Sequence, residues 1–192
     1  DIETNTVRVS VDAPGGTAVM KGGRFLCCGN LNGEVVLRDP RSLQALFTLP
    51  GHNGPVTGLD AKTDLLVTCG ISVFRGEYAT DTSLKLFDLR RAPRPLASIP
   101  FPLGAQLLKY SPKFTSTLVG ASSGAFQLCD VASLLTLPPV YPFSSQEVTA
   151  LDVSSSGEMI AVGDMNGVIS VWTDSQTSVV NQQCITCEIP SA

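Results

Sequence analysis

The sequence predicts an all-β fold made of about four equivalent sheets arranged around a common axis, and three observations carry that prediction. Glycine-marked segments recur: Gly29, Gly33 and Asp39 have the same spacing as Gly120, Gly124 and Asp130, and as Gly163, Gly167 and Thr173. A further copy runs from Gly70 to Asp88, 18 residues where the others span 10, which implies an eight-residue insertion within Ile71–Ser83. With that insertion removed, the endpoints at 39, 88, 130 and 173 lie 41, 42 and 43 residues apart, the length of one four-stranded unit of a radial repeat. Finally, no continuous helical period of 3.6 runs along the chain.

Each copy justifies its own elements. A β-type run leads into the first glycine: Phe25–Cys28, Leu65–Cys69, Thr117–Val119 and Met159–Val162. A second run follows a short glycine-bearing connection: Glu34–Leu37, Leu84–Phe87, Ala125–Leu128 and Val168–Trp172. Glycine supplies the positive φ of a tight turn, so each pair reads as a hairpin. A third strand precedes each hairpin, most plainly in the near-copies Val56-Thr57-Gly58-Leu59-Asp60 and Val148-Thr149-Ala150-Leu151-Asp152, 92 residues apart. Weaker strands are expected around Leu43–Thr48, Pro95–Ile99 and Leu134–Leu137. Strands that are nearly apolar on both faces suit sheets stacked between neighbouring sheets, as in the blades of a propeller.

Composition bounds the function. Apolar residues make up 43% of the 192 and charged ones 16%, enough to build a core and too little charge for a disordered tail. The net charge of −4 argues against wholesale nucleic-acid binding, which needs a basic face. The acidic opening Asp1-Ile2-Glu3 is no secretory signal, and no run of about 18 apolar residues offers a membrane span. The chain does not begin with Met and reads as a piece of something longer. Its six cysteines are too few for a disulfide framework at this length. Four of them sit in apolar runs, where a free thiol acts as a small hydrophobe, so the cytosol or nucleus is expected.

At the strand ends the chain resembles the WD-repeat family. The terminal dipeptides are Arg38-Asp39, Phe87-Asp88, Cys129-Asp130 and Trp172-Thr173, and Gly51-His52 stands just before the strand at Val56. The resemblance implies a partial β-propeller, about four blades of an expected seven, over residues 1–175, followed by a divergent or disordered tail at 176–192. It assigns Gly51, His52, Asp39, Asp88, Asp130 and Trp172 to structural repeat positions. That family's buried Asp–His–Ser/Thr–Trp network is expected to be complete in no blade, because its Ser/Thr position is read as Cys28, Cys69, Val119 and Val162. Four blades of such a ring leave strand edges and blade faces open, so the isolated chain is expected to be marginal, oligomeric or chaperone-bound.

The stretch from Arg24 to Ser175 also resembles, more specifically, the N-terminal propeller of the catalytic subunits of Pan poly(A)-nuclease deadenylation complexes. The residues that carry this are Val36–Arg41, Leu65–Gly70, Leu84–Arg90, Phe126–Cys129, Ala161–Asp164 and Val171–Ser175. The resemblance implies a protein-interaction scaffold acting in poly(A)-tail shortening and mRNA decay, in the cytoplasm, with P-bodies and the nucleus as further locations. The implied partners are the pseudokinase subunit and poly(A)-binding-protein-coated mRNA, with little direct nucleic-acid binding and no membrane. In that family the 3′ exoribonuclease activity belongs to a C-terminal metal-dependent domain not found in this chain, so no enzyme activity is expected of it. An unrelated WD-repeat adaptor, such as a ubiquitin-ligase substrate receptor, is the alternative.

Candidate chemistry yields to structural readings. His52, the one histidine, has no second histidine for a metal triad and reads as the structural Gly-His. Asp39, Asp88 and Asp130 recur once per blade, so they occupy equivalent corners around the ring rather than one Mg²⁺ site; hydrogen bonding at turns is expected. Cys184-Ile185-Thr186-Cys187 has CxxC spacing but no second ligand pair. Lys85, Arg90, Arg91 and Arg94 form the densest basic segment and read as a solvated loop. No catalytic residue, cofactor or metal is expected. The insertion carries Phe74, Arg75 and Tyr78, residue types enriched at binding hot spots, and two readings stand for it: a protein-interaction loop, or a variable surface loop.

Overall fold

Hairpin by hairpin, the strands assemble into four antiparallel sheets in the computed structural model, which describes residues 3–4, 6–7, 10–91, 94–113, 117–122, 124–132, 139–142 and 146–173. Blade one consists of β1 (Val19–Lys21), β2 (Leu26–Gly29), β3 (Glu34–Arg38) and β4 (Ala45–Pro50). Blade two has β5 (Val56–Lys62), β6 (Leu65–Phe74), β7 (Glu77–Thr80), β8 (Ser83–Asp88) and β9 (Ala97–Pro100), with β7 pairing only with the outer half of β6. Blade three has β10 (Leu107–Tyr110), β11 (Thr117–Ser122), β12 (Ala125–Asp130) and β13 (Val140–Pro142). Blade four shows, among the described residues, β14 (Val148–Val153), β15 (Met159–Asp164) and β16 (Ile169–Thr173). The innermost strands β1, β5, β10 and β14 touch in succession, which is the radial arrangement of a partial propeller.

Period-two alternation explains why both faces of these strands are apolar. In blade two, Leu66 and Phe87 face back toward Val35, Leu37 and Leu49 of blade one, while Val67, Leu84 and Leu86 face forward toward Leu108 and Tyr110 of blade three. Val119, Ala121 and Phe126 pack in turn on Val148, Leu151 and Val162 of blade four. Each shared face is therefore sealed by the neighbouring blade rather than by water, whereas Ile169 and Val171 on the outward face of blade four are exposed. Cys27, Cys28, Cys69 and Cys129 are free thiols buried in these layers, and burial raises Cys69 to about 12, leaving it an inert packing group at neutral pH.

Two expectations need correction. The fourth strand of blade three lies at Val140–Pro142, later than expected, and Leu134–Leu137 falls outside the described residues. The insertion is an ordered hairpin: Ile71, Ser72, Val73 and Phe74 pair with Thr80, Ala79, Tyr78 and Glu77, so it lengthens β6 instead of interrupting the blade. Its two-residue turn, Arg75-Gly76, has φ of 52° and 84°, the positive pair that matches strand twist in a type I′ turn. Arginine bears that φ at a cost which asparagine escapes in large part. Arg75→Asn is therefore expected to stabilise the chain by about 0.5 kcal/mol, read as a rise in the urea midpoint at unchanged slope.

Candidate functional site

The site builds from the seam between blades one and two. The turn joining β2 to β3 is shaped by Asn30, whose Oδ1 accepts from the backbone N–H of Asn32 (3.0 Å) and Glu34 (2.8 Å). This presents the Gly33 carbonyl to the next connection, where it accepts from the N–H of Gly51 (3.1 Å) and His52 (3.0 Å). Gly33 has φ of 85°, and a Cβ there would lie 2.1 Å from the His52 carbonyl oxygen. Blade one thus positions Gly51-His52 by backbone contact alone.

From this anchor His52 reaches into blade two, its side chain fully buried. Nδ1 contacts Asp81 Oδ2 at the end of the inserted hairpin, and Nε2 lies 2.9 Å from Thr68 Oγ1 on β6. Ser72 donates its hydroxyl to Asp81 Oδ1. Asp81 offers only acceptors, so Nδ1 carries the proton and Nε2 accepts from the Thr68 hydroxyl. Burial pushes the His52 pKa below its usual value, with nearby Lys85 adding to this and Asp81 opposing it. Gly70 leaves room for the ring: a Cβ there would meet His52 Cγ at 2.7 Å.

This corrects the expected Ser/Thr positions. Counted through the strand pairing, the partners of Val36, Lys85, Gln127 and Ser170 are Cys28, Thr68, Gly120 and Val162. Cys69 and Val119 are displaced by one residue, and blade two does hold the hydroxyl. Its Trp position is Phe87, buried beside Gly51 and Thr68, which has no N–H to extend the chain of hydrogen bonds. Trp172 instead packs edge-on against Phe126 (5.2 Å) and Tyr141 (6.3 Å) of blade three, at the wall of a cavity of about 460 Å³ between blades three and four.

The repeating aspartates sit at turns. Asp39 Oδ1 accepts from the N–H of Arg41 (2.8 Å) and Ser42 (2.8 Å), Asp88 from Arg90 (3.0 Å) and Asp130 from Ala132 (2.9 Å). The Arg90 guanidinium also forks onto Asp88 with two contacts of 2.9 Å and holds its carboxyl down at about 2. Lys85 reaches Ser98 across β8 and β9 (3.2 Å), so half of the basic segment is engaged within its own blade, while Arg91 and Arg94 are exposed.

Sequence reasoning missed a second set of polar contacts, around the axis. Asp60 on β5 is buried and joins three blades: Lys21 Nζ of β1 lies 2.6 Å away, and the Tyr110 N–H of β10 donates to it at 2.8 Å. Lys109 and Asp152 repeat the lysine–aspartate pairing at the seam between blades three and four (3.1 Å). The signal was present in the near-identical pentapeptides that end in Asp60 and Asp152. Asp81, Thr68 and Ser72 gave no comparable signal, because their partner lies on another connection.

Of the insertion residues, Tyr78 is 72% exposed at the hairpin and Arg75 forms its tip; the Phe74 side chain lies outside the described residues, as do Cys184 and Cys187. Among the described residues, no group of three His, Cys, Asp or Glu could hold a metal ion, and no helix is long and apolar enough to cross a membrane.

Stacked antiparallel blades, a Gly-His anchor and aspartates at the ends of the third strands of blades one to three define a WD-type β-propeller. The family model described as PAN2 N-terminal matches residues 1–173, and the chain belongs to that family. It is 31% identical over 174 residues to the PAN2-PAN3 deadenylation complex catalytic subunit of Schizosaccharomyces pombe, covering 90% of this chain and 16% of that protein. It is 32% identical over 190 residues to the Gallus gallus counterpart, covering 94% of this chain and 16% of that protein. The Neurospora crassa Pan2 WD40 domain superposes with a TM-score of 0.80 at 22% identity, over 93% of this chain and 56% of that one. The chain thus spans about one-sixth of the length of the curated relatives it matches.

Proposed function

We propose that the chain is a non-catalytic protein-interaction scaffold of a poly(A)-specific deadenylase subunit, acting in poly(A)-tail shortening and mRNA decay in the cytoplasm. The family match over residues 1–173 carries this reading. Its physical support is a set of blades locked through their seams, from which one ordered hairpin projects with a large exposed aromatic residue, Tyr78. Rigid elements that carry an exposed aromatic are suited to binding, because little side-chain freedom is lost on contact. The pseudokinase subunit and poly(A)-binding protein are the proposed partners. Purified chain is expected to retain at least one of them in a pull-down, and Tyr78→Ala to weaken that retention by roughly tenfold. Retention of neither, or turnover of poly(A) with Mg²⁺ by the purified chain, would reject the reading.

A further inference from the structure

The seam between blades three and four is built differently from the two before it. In those earlier seams an apolar residue directly after the third-strand aspartate is buried in the shared layer. Leu89 packs with Leu37 and Phe87 between blades one and two, and Val131 with Val67 and Tyr110 between blades two and three. The sequence has no apolar residue directly after Thr173, and at this seam a cavity of about 460 Å³ opens. Phe126 of β12, Tyr141 of β13 and Trp172 of β16 line it. Phe126 and Tyr141 are stacked 5.0 Å apart and 14° from parallel, and the Trp172 indole stands across them at 71° and 61°. Tyr141 and Trp172 are only half-buried. Asp130 and Glu158 also line the cavity, and among the described residues no lysine or arginine does.

Crossed aromatic walls with carboxylates beside them suit one class of ligand. The face of an aromatic ring attracts a cation, most strongly when the ring is an indole. A bare ammonium is compact and strongly hydrated, whereas N-methylation keeps the charge and adds apolar surface that rings can cover. We propose that this cavity receives an N-methylated lysine side chain of a partner protein, with its ammonium between the crossed rings and the carboxylates of Asp130 and Glu158. Both carboxylates are available to it. Asp130 is held in place at its turn by the Ala132 N–H (2.9 Å). Glu158 lies 3.3 Å from Lys113 in an exposed pair, which water and salt screen. A choline headgroup offers the same cation, but its phosphate would stand against the same two carboxylates, and that favours a protein source. The site goes beyond the scaffold reading above and does not depend on the partners proposed there.

Trp172 is the chain's one tryptophan, so its fluorescence reads the site directly. The full chain is titrated with a short peptide carrying trimethyllysine, with the same peptide carrying unmodified lysine, and with one carrying the neutral tert-butyl isostere of trimethyllysine. The trimethyllysine peptide is expected to saturate the signal with an affinity about tenfold above that of either control. Asp130→Asn combined with Glu158→Gln keeps the shape of both side chains. This variant is expected to bind the trimethyllysine peptide about fivefold more weakly and the neutral isostere as before. Phosphatidylcholine vesicles are expected to leave the fluorescence unchanged. Equal binding of the trimethyllysine peptide and either control, no saturable response to any peptide, or a response to the vesicles alone would overturn the proposal; the last would assign the cavity to a lipid headgroup.

Discussion

Gly33→Ala is expected to destabilise the chain by about 3 kcal/mol. Two costs combine. The backbone there has φ of 85°, which an alanine pays for at about 1 kcal/mol. The added Cβ would also stand 2.1 Å from the His52 carbonyl oxygen and 2.7 Å from that of Gly54. Both are backbone atoms, so no side-chain rotation relieves the clash. The turn and the Gly51-His52 segment must move apart, breaking the two hydrogen bonds to the Gly33 carbonyl. Gly76→Ala separates the two costs, since Gly76 has nearly the same φ, 84°, and open space around it. It is expected to lose only about 1 kcal/mol. Urea midpoints of both variants check the prediction, and equal shifts would remove the inter-blade contact from the account.

Removing the carboxylate of Asp81 comes second. Asp81→Ala leaves the buried Nδ1–H of His52 and the Ser72 hydroxyl without their acceptor, and is expected to cost about 3 kcal/mol. Asp81→Asn keeps an acceptor and is expected to cost less than half of that. The same network sets a pH dependence. The folded pKa of His52 lies below its ordinary 6.5, so below pH 6.5 the unfolded chain takes up a proton that the folded chain resists. Stability is fully present above that value and is lost as pH falls through 6.5 toward the folded pKa. Asp39, Asp88 and Asp152, all held below the usual carboxylate range by hydrogen bonds and basic neighbours, act only at lower pH, below about 4. Urea midpoints between pH 7.5 and 5.5 should therefore fall for the native chain and stay flat for His52→Gln. A native midpoint unchanged over that range would contradict the neutral, buried imidazole.

How much of this was legible in the sequence depended on how local each signal is. Gly33 and Gly167 fold turns within a few residues of themselves, with φ of 85° and 80°, so their spacing alone revealed the blades. The aspartates that end the third strands close turns with residues two or three positions away, and their repetition was equally readable. The outer strands were harder, since β9 and β13 hold four and three residues and half-exposed strands of that length show no period. Counting from the first glycine placed the Thr68 position one residue late. Strand pairing, rather than glycine spacing, sets which residues lie opposite one another, and pairing of β6 with β8 puts Thr68, not Cys69, opposite Lys85. The partnership of His52 with Asp81 spans 29 residues and passes through the insertion. Only the folded hairpin, with Asp81 N–H held by the Gly70 carbonyl at 3.0 Å, brings the two together.

That hairpin is a lever with a short arm. Its base is pinned by Ser72 and Asp81 to the imidazole of His52, and His52 in turn hangs from the Gly33 carbonyl of the preceding blade. A pull on Tyr78 would therefore load the joint between blades one and two before it strained either sheet. Traction at the tip, applied with optical tweezers through that position, should part those two blades first.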